Sequence, residues 1–204
     1  MKYRPLTASL PICLLLLFPC CDDSTTVEVL RPTQLVPPPP VATFSGVSFA
    51  VGNAYRWHYT KITNQGNMSL WDEIDRIVSE TTIDGLRYFL FSGGKMLRST
   101  DHAVLSFDGD SVSVYYRFDV TAGQTVPFLG SVLAVGVVDT GSVFGETQEV
   151  VTVSSQSLSA GAIDEASYST RFGPLVINRS EPGSVTRGVL VGARLDTVNY
   201  GSYP

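Results

Sequence analysis

The chain has two histidines, His58 and His102, and hydrolysis of the Ser-His-Asp kind would have to run through one of them, because that chemistry needs an imidazole base. Asp101 directly precedes His102, but neighbours on a strand point to opposite faces, so this carboxylate is badly placed to orient the ring. No Gly-x-Ser-x-Gly elbow is present to carry a nucleophile. His58 falls opposite the aromatic residues of its own segment and reads as a surface residue. No catalytic residue is assigned, and the chain is expected not to be an enzyme.

Metal and phosphate chemistry lack their ligand sets too. A structural zinc site wants four Cys or His ligands, and the three cysteines, Cys13, Cys20 and Cys21, all lie at the extreme N-terminus. Asp108 and Asp110 flank Gly109 and could face a calcium ion, yet two acids without the full Asp-x-Asp-x-Asp-Gly loop describe a solvated turn. Gly93-Gly94-Lys95 lacks the earlier glycine and the following Ser or Thr of a phosphate-cradling loop. No metal and no cofactor are expected. A net charge of -5 with no basic run disfavours nucleic acid, and Arg171, Arg179, Arg187 and Arg194 read as surface charge on the final strands.

What remains is a set of aromatic residues. Trp57, Tyr59, Tyr88, Phe89 and Phe91 are the ligand-binding candidates, with core packing as the alternative role for each. Short runs rich in Val, Tyr, Phe and Thr, separated by Gly, Asn and Asp, must position them, which predicts an all-β domain: a single antiparallel meander forming a curved sheet, half-barrel or barrel. In Ala54 to Lys61, the rings of Tyr55, Trp57 and Tyr59 share one face, because strand side chains alternate. The same rule puts Val112, Val114, Tyr116 and Phe118 on one face, and Val189, Val191, Ala193 and Leu195 on one face of a strand from Arg187 to Val198. Further strands are expected over Ser131 to Val138, Glu149 to Ser154 and Ala166 to Phe172. Turns are expected at Asn64 to Asn67, Asp84-Gly85, Ser92 to Lys95 and Asp108-Gly109, the Asp-Gly pairs being strong hairpin signals. Residues 69–79 carry helical spacing, yet Thr81, Thr82 and Ile83 lead straight into the Asp84-Gly85 turn, so a strand is preferred.

Val51-Gly52-Asn53-Ala54-Tyr55-Arg56-Trp57-His58-Tyr59 resembles the Gly-Asn-x-Trp-x-Tyr opening of a family of uncharacterised bacterial envelope lipoproteins and secreted proteins. Thr82-Ile83-Asp84-Gly85 followed by Tyr88-Phe89-Leu90 resembles their first hairpin. Tyr168 to Ile177 is similar to their aromatic-x-x-Gly-hydrophobic-Gly-hydrophobic-Val motif, with Pro174 and Leu175 departing from it. The resemblance implies a curved antiparallel sheet or half-barrel in the cell envelope; some folds of this general shape carry lipids or lipoproteins on their concave face, an analogy that fold alone does not turn into function.

The N-terminus supplies the address. Lys2 and Arg4, an apolar run from Leu10 to Phe18, and Cys20-Cys21 before Asp22-Asp23 describe an export signal ending in a lipid attachment site. The run is too short for a spanning helix of about 20 apolar residues. Cleavage before Cys21 leaves the small Cys20 at the scissile bond, whereas cleavage before Cys20 would put Pro19 there, so Cys21 is the preferred lipidation site and Cys20 the alternative. An ordinary secretory signal is the rival, opposed by the absence of any cysteine after Cys21 that could form a disulfide with it. Residues 1–20 are thus read as a lipoprotein-type signal peptide, 21–43 as lipid anchor and proline-rich linker, and 44–204 as the all-β domain. Pro37 to Pro40 favour an extended, semi-rigid spacer.

Together these features predict a lipid-anchored protein of the bacterial cell envelope, on the periplasmic or surface face of the outer membrane. Its role is expected to be non-catalytic binding of an apolar ligand or an envelope partner. The alternative is a structural or assembly lipoprotein without a small-molecule ligand, whose exposed sheet edge recruits a partner by strand addition.

Overall fold

Asp84-Gly85 turns the chain with φ values of 50° and 76° at its two residues, the two positive angles that a two-residue hairpin loop requires. The same punctuation recurs along the chain and makes each strand the neighbour of the next. The computed structural model describes residues 47–155 and 163–204. The signal-type segment, Cys20, Cys21 and the proline-rich linker lie outside the described residues.

All regular structure among the described residues is strand: β1 (Ala54–Thr63), β2 (Met68–Ile83), β3 (Leu86–Phe91), β4 (Met96–Ser99), β5 (Ala103–Phe107), β6 (Val112–Arg117), β7 (Thr125–Phe128), β8 (Ser131–Val143), β9 (Glu146–Ser154), β10 (Ile163–Ser169), β11 (Gly173–Glu181), β12 (Ser184–Leu195) and β13 (Val198–Gly201). They pair antiparallel in sequence order, and β1 also pairs with β12, closing a twelve-stranded barrel. β13 folds back on the last residues of β12. Closure removes the two terminal edges that an open meander would leave unpaired.

Residues 69–79 lie within β2, a strand rather than a helix. Their helical spacing loses to the ladder with β1, which runs without a break from Ile62↔Met68 to Ala54↔Arg76. Two face assignments need correction, both because of bulges. On β6, Leu105 of β5 faces Val114 while Val104 faces Tyr116, leaving Tyr115 as the extra residue. A bulge inverts the alternation, so Val112 and Val114 are exposed while Tyr116 and Phe118 are buried. On β12, Trp57 faces Leu190 and Arg56 faces Gly192, leaving Val191 as the extra residue. Leu190, Ala193 and Leu195 are buried, whereas Val189 and Val191 fall on the other side of the inversion.

Other bounds also move. The strand expected over Ala166 to Phe172 is Ile163–Ser169, and Phe172 sits in the turn before β11. The strand expected to reach Val198 ends at Leu195, and the Asp196-Thr197 turn opens β13. Asp101 and His102 lie in the β4–β5 turn, not on a strand.

Two devices hold the barrel together at the end where β1 begins. Interlocked rings fill its lumen: Tyr116 lies 5.5 Å from Phe118, 6.0 Å from Phe128 and 5.3 Å from Tyr168 between ring centres. The Tyr168 hydroxyl donates to the Arg117 carbonyl at 2.6 Å, which satisfies its buried polar end. The second device is the Gly52-Asn53 pair. Gly52, at φ 95°, lets the chain turn into β1. The side chain of Asn53 is buried, its Oδ1 accepts the Asp196 N–H at 2.6 Å, and its backbone carbonyl accepts the Ile77 N–H at 2.9 Å. One asparagine thereby ties the start of β1 to β2 and to the β12–β13 turn.

Candidate functional site

Inward-facing side chains at the other end of the barrel, where β1 finishes at Thr63, leave the lumen unfilled. They enclose a cavity of ≈ 540 Å³, inside the range of roughly 300–1,000 Å³ typical of small-molecule sites. The register arranges its main wall as a grid. The row nearest the mouth is Lys61 on β1, facing Thr186 on β12, which in turn faces Arg179 on β11. The next row inward is Trp71 on β2, Tyr59 on β1, Gly188 on β12 and Ile177 on β11. Below it Glu73 faces Trp57, and below that Asp75 faces Tyr55.

The second row is a stack of rings. Tyr59 lies 5.1 Å from Trp71 at 14° and 6.1 Å from Trp57 at 24°. It can lie flat because its neighbour across the ladder is glycine: a Cβ on Gly188 would sit 2.5 Å from Tyr59 Cε1. Deeper in, Phe91 stacks on Tyr55, and Phe49, from the segment preceding β1, meets Phe91 edge-on at 5.5 Å. Tyr115, Tyr116 and Phe172 complete the aromatic lining. Tyr115 reaches the lumen beside Tyr116 because of the β6 bulge.

Charge lines the mouth and continues down the β2 wall through Glu73 and Asp75. Lys61 Nζ pairs with Glu181 Oε2 at 2.9 Å, and Lys95 Nζ with Asp75 Oδ2 at 3.4 Å. Burial alone would lower the Lys95 ammonium, but the neighbouring Tyr115 and Asp75 outweigh it and raise the group, so it is a cation at neutral pH. Burial raises the phenols of Tyr55, Tyr59, Tyr115 and Tyr116, which are therefore neutral donors. The Tyr55 hydroxyl is buried in the cavity wall with no hydrogen-bond partner among the described residues. An aromatic lumen with fixed charges at its entrance can bind and orient an amphipathic molecule.

Of the aromatic candidates, the structure brings Trp57, Tyr59 and Phe91 into the cavity wall. Phe89 points inward but packs in the core against Phe49 at 5.7 Å. Tyr88 alternates to the opposite face of β3, 5.6 Å from Phe107, and lies outside the cavity. Sequence reasoning missed Phe49, Trp71, Glu73, Lys95, Tyr115 and Arg179, all of which line it. Trp71 and Glu73 carried no face assignment while helix and strand competed over 69–79. Arg179, read as surface charge, faces the lumen because its neighbours Ile177 and Glu181 do.

The histidines sit elsewhere. His58 is on the outer face, its Nδ1 2.7 Å from Asp72 Oδ1, with Arg56 bonded to the other carboxylate oxygen. His102 is in an exposed turn. Asp108 spends its carboxylate within its own turn, accepting the N–H groups of Asp110 at 3.0 Å and Ser111 at 2.8 Å.

No protein-family model matches the chain, and no curated protein matches it. Among solved structures, the crystal structure of a LolA superfamily protein from Nitrosomonas europaea aligns over 72% of this chain and 87% of that one, at 7% identity and a TM-score of 0.21. That likeness is too slight to bear on the function.

Proposed function

We propose that this chain is a lipid-anchored protein of the bacterial cell envelope whose barrel is a non-catalytic module for a hydrophobic ligand. The observation that carries the binding reading is the ≈ 540 Å³ aromatic cavity, open beside fixed charges. Burying about 25 cal/mol for each Å² of ligand apolar surface, such a lumen supplies affinity without any reacting group. The anchor rests on the N-terminal residues: a charged start, a short apolar run and Cys20-Cys21 before acids. Native mass spectrometry of the chain isolated from its own cells tests both parts. A co-purifying mass lost on denaturation supports the binding module, and a clean ligand-free mass argues against it. Lipid mass on Cys21, or on Cys20, supports the anchor, and an unmodified N-terminus refutes it.

A structural or assembly role is the second reading, favoured by the edge of β2. The β2–β3 ladder starts at Ile83↔Leu86 and ends at Ile77↔Phe91, so from Met68 to Ile74 β2 pairs with β1 alone among the described residues. Arg76 bonds to Ser92 through its own N–H and carbonyl. The same side of the backbone at Ile74, Asp72, Leu70 and Met68 therefore faces the free edge. Met68 and Leu70 are 64% and 56% exposed there, an uncovered edge of the kind that accepts an added strand.

A further inference from the structure

We propose that the cavity selects a zwitterionic amphiphile, holding a cationic group against the exposed indole of Trp71 beside Glu73 and an outermost anionic group between Lys61 and Arg179. The inference rests on the reading of the barrel as a hydrophobic-ligand module and deepens it by naming the head group.

The charges that line the cavity fall into two clusters of opposite sign. On the β1 and β11 side stand two bases, Lys61 and Arg179, with one acid, Glu181. Glu181 is engaged by Lys61 at 2.9 Å and by the Ser184 hydroxyl at 3.4 Å, and among the described residues no acid bonds Arg179. Lys61 and Arg179 are both register partners of Thr186, so two cations flank one hydroxyl across three adjacent strands, roughly 10 Å apart at their backbones. Such a fork suits an anion, the guanidinium offering paired donors.

On the β2 side the balance reverses. Glu73 and Asp75 stand against the single base Lys95, which Asp75 engages at 3.4 Å, and Glu73 has no ion-pair partner among the described residues. Beside Glu73 the parallel faces of Trp71 and Tyr59 are stacked 5.1 Å apart between centres, with Trp71 still 40% exposed. An open indole face next to a free carboxylate is the environment that attracts an organic cation, quaternary ammonium above all.

The grid fixes the order of the two charges. Successive inward residues on a strand lie about 7 Å apart. The Lys61, Thr186 and Arg179 row is nearest the mouth, the Trp71 and Tyr59 row comes next, Glu73 follows, and beyond it lie the paired Asp75 and Lys95 on one wall and the aromatic lumen. A ligand with its apolar body in the lumen presents its cation first and its anion last. At the deep end, the Tyr55 hydroxyl, which has no partner among the described residues, is a donor for an acceptor atom on that body.

The chain's two tryptophans, Trp57 and Trp71, both line the cavity, so intrinsic fluorescence of the full chain reports occupancy locally. The probes are dodecyl sulfobetaine, with the cation next to the tail, dodecylphosphocholine, with the anion next to the tail, dodecyltrimethylammonium and dodecyl sulfate, all below their micellar concentrations. A tail-free sulfobetaine separates a lipid-like ligand from a soluble zwitterion. Dodecyl sulfobetaine is expected to bind about tenfold more tightly than each of the other three. Glu73→Gln is expected to reduce it to the level of dodecyl sulfate, and Arg179→Gln to that of dodecyltrimethylammonium. Both residues are exposed, and unchanged circular dichroism verifies folding of the variants. Equal binding of all four dodecyl probes, or tighter binding of dodecylphosphocholine, overturns the head-group assignment and leaves the hydrophobic module standing. No response to any dodecyl probe overturns both. A tail-free sulfobetaine that binds as tightly as the dodecyl form upholds the head group and overturns the apolar body.

Discussion

Asn53 shows how much one polar side chain can hold. Its Oδ1 accepts the Asp196 N–H at 2.6 Å and its Nδ2 donates to the Ser48 carbonyl at 3.4 Å, all in a buried site. Asn53→Ala leaves a buried donor unpaired, so it is expected to cost roughly 1–3 kcal/mol in urea unfolding. Ionic residues act differently because they face solvent. The Asp72 carboxyl lies below the usual carboxylate range because His58 and then Arg56 hydrogen-bond to it. The N–H groups of Asp110 and Ser111 do the same for Asp108, and Lys61 does so for Glu181. A group whose folded pKa is depressed stabilises the fold above its unfolded value, near 4 for a carboxyl, and loses that contribution as pH falls through the folded pKa. The thermal midpoint is therefore expected to hold from neutral pH to about 4 and to fall below it. Asp72→Asn is expected to lower the midpoint at neutral pH, with the gap to the parent closing in acid, as calorimetry across pH would show. Neither role was legible in the sequence: Asn53 was visible as part of a motif, but Asp196 and Ile77, whose N–H groups it accepts, lie on segments far away in the chain.

At the scale of the element, alternation carried the faces of β1 correctly and failed wherever a bulge intervened. Tyr55, Trp57 and Tyr59 point inward as the spacing predicts. Tyr115 and Val191 are extra residues that invert β6 and β12, and nothing in their local sequence marks them. The pairing of Tyr59 with Gly188 is equally a matter of register. Gly188→Ala puts a Cβ 2.5 Å from Tyr59 Cε1 and 3.0 Å from Cδ1. It is expected to cost about 1–3 kcal/mol and to change the near-ultraviolet circular dichroism of the Trp57, Tyr59 and Trp71 stack. The β2 edge permits a sharper comparison. The Leu70 N–H faces the free edge and the Trp71 N–H faces β1, so Leu70→Pro is expected to leave the thermal midpoint close to that of the parent, whereas Trp71→Pro breaks a ladder bond and lowers it markedly. Equal midpoints for the two variants would refute the assigned edge.

At the scale of the whole molecule, closure sets the behaviour. β1 and β12 lie at opposite ends of the described chain, and their pairing must be formed against a large loop-closure entropy. Folding is expected on a scale of roughly milliseconds to seconds, followed by stopped-flow fluorescence of Trp57 and Trp71; a main phase in microseconds would contradict it. Composition, the strand-and-turn rhythm and the Asp84-Gly85 hairpin determined by themselves that this is an antiparallel meander, because pleat alternation and positive φ are local properties of a chain. They also offered Trp57, Tyr59, Tyr88, Phe89 and Phe91 as pocket candidates, of which Trp57, Tyr59 and Phe91 line the cavity and Tyr88 and Phe89 do not. Only the tertiary structure decided that the meander closes through β1 and β12, that bulges turn Tyr115 inward, and that Lys61, Arg179 and Glu73 line one cavity. Those outcomes depend on register between strands distant in sequence, and a one-residue shift in register moves every side chain to the other face.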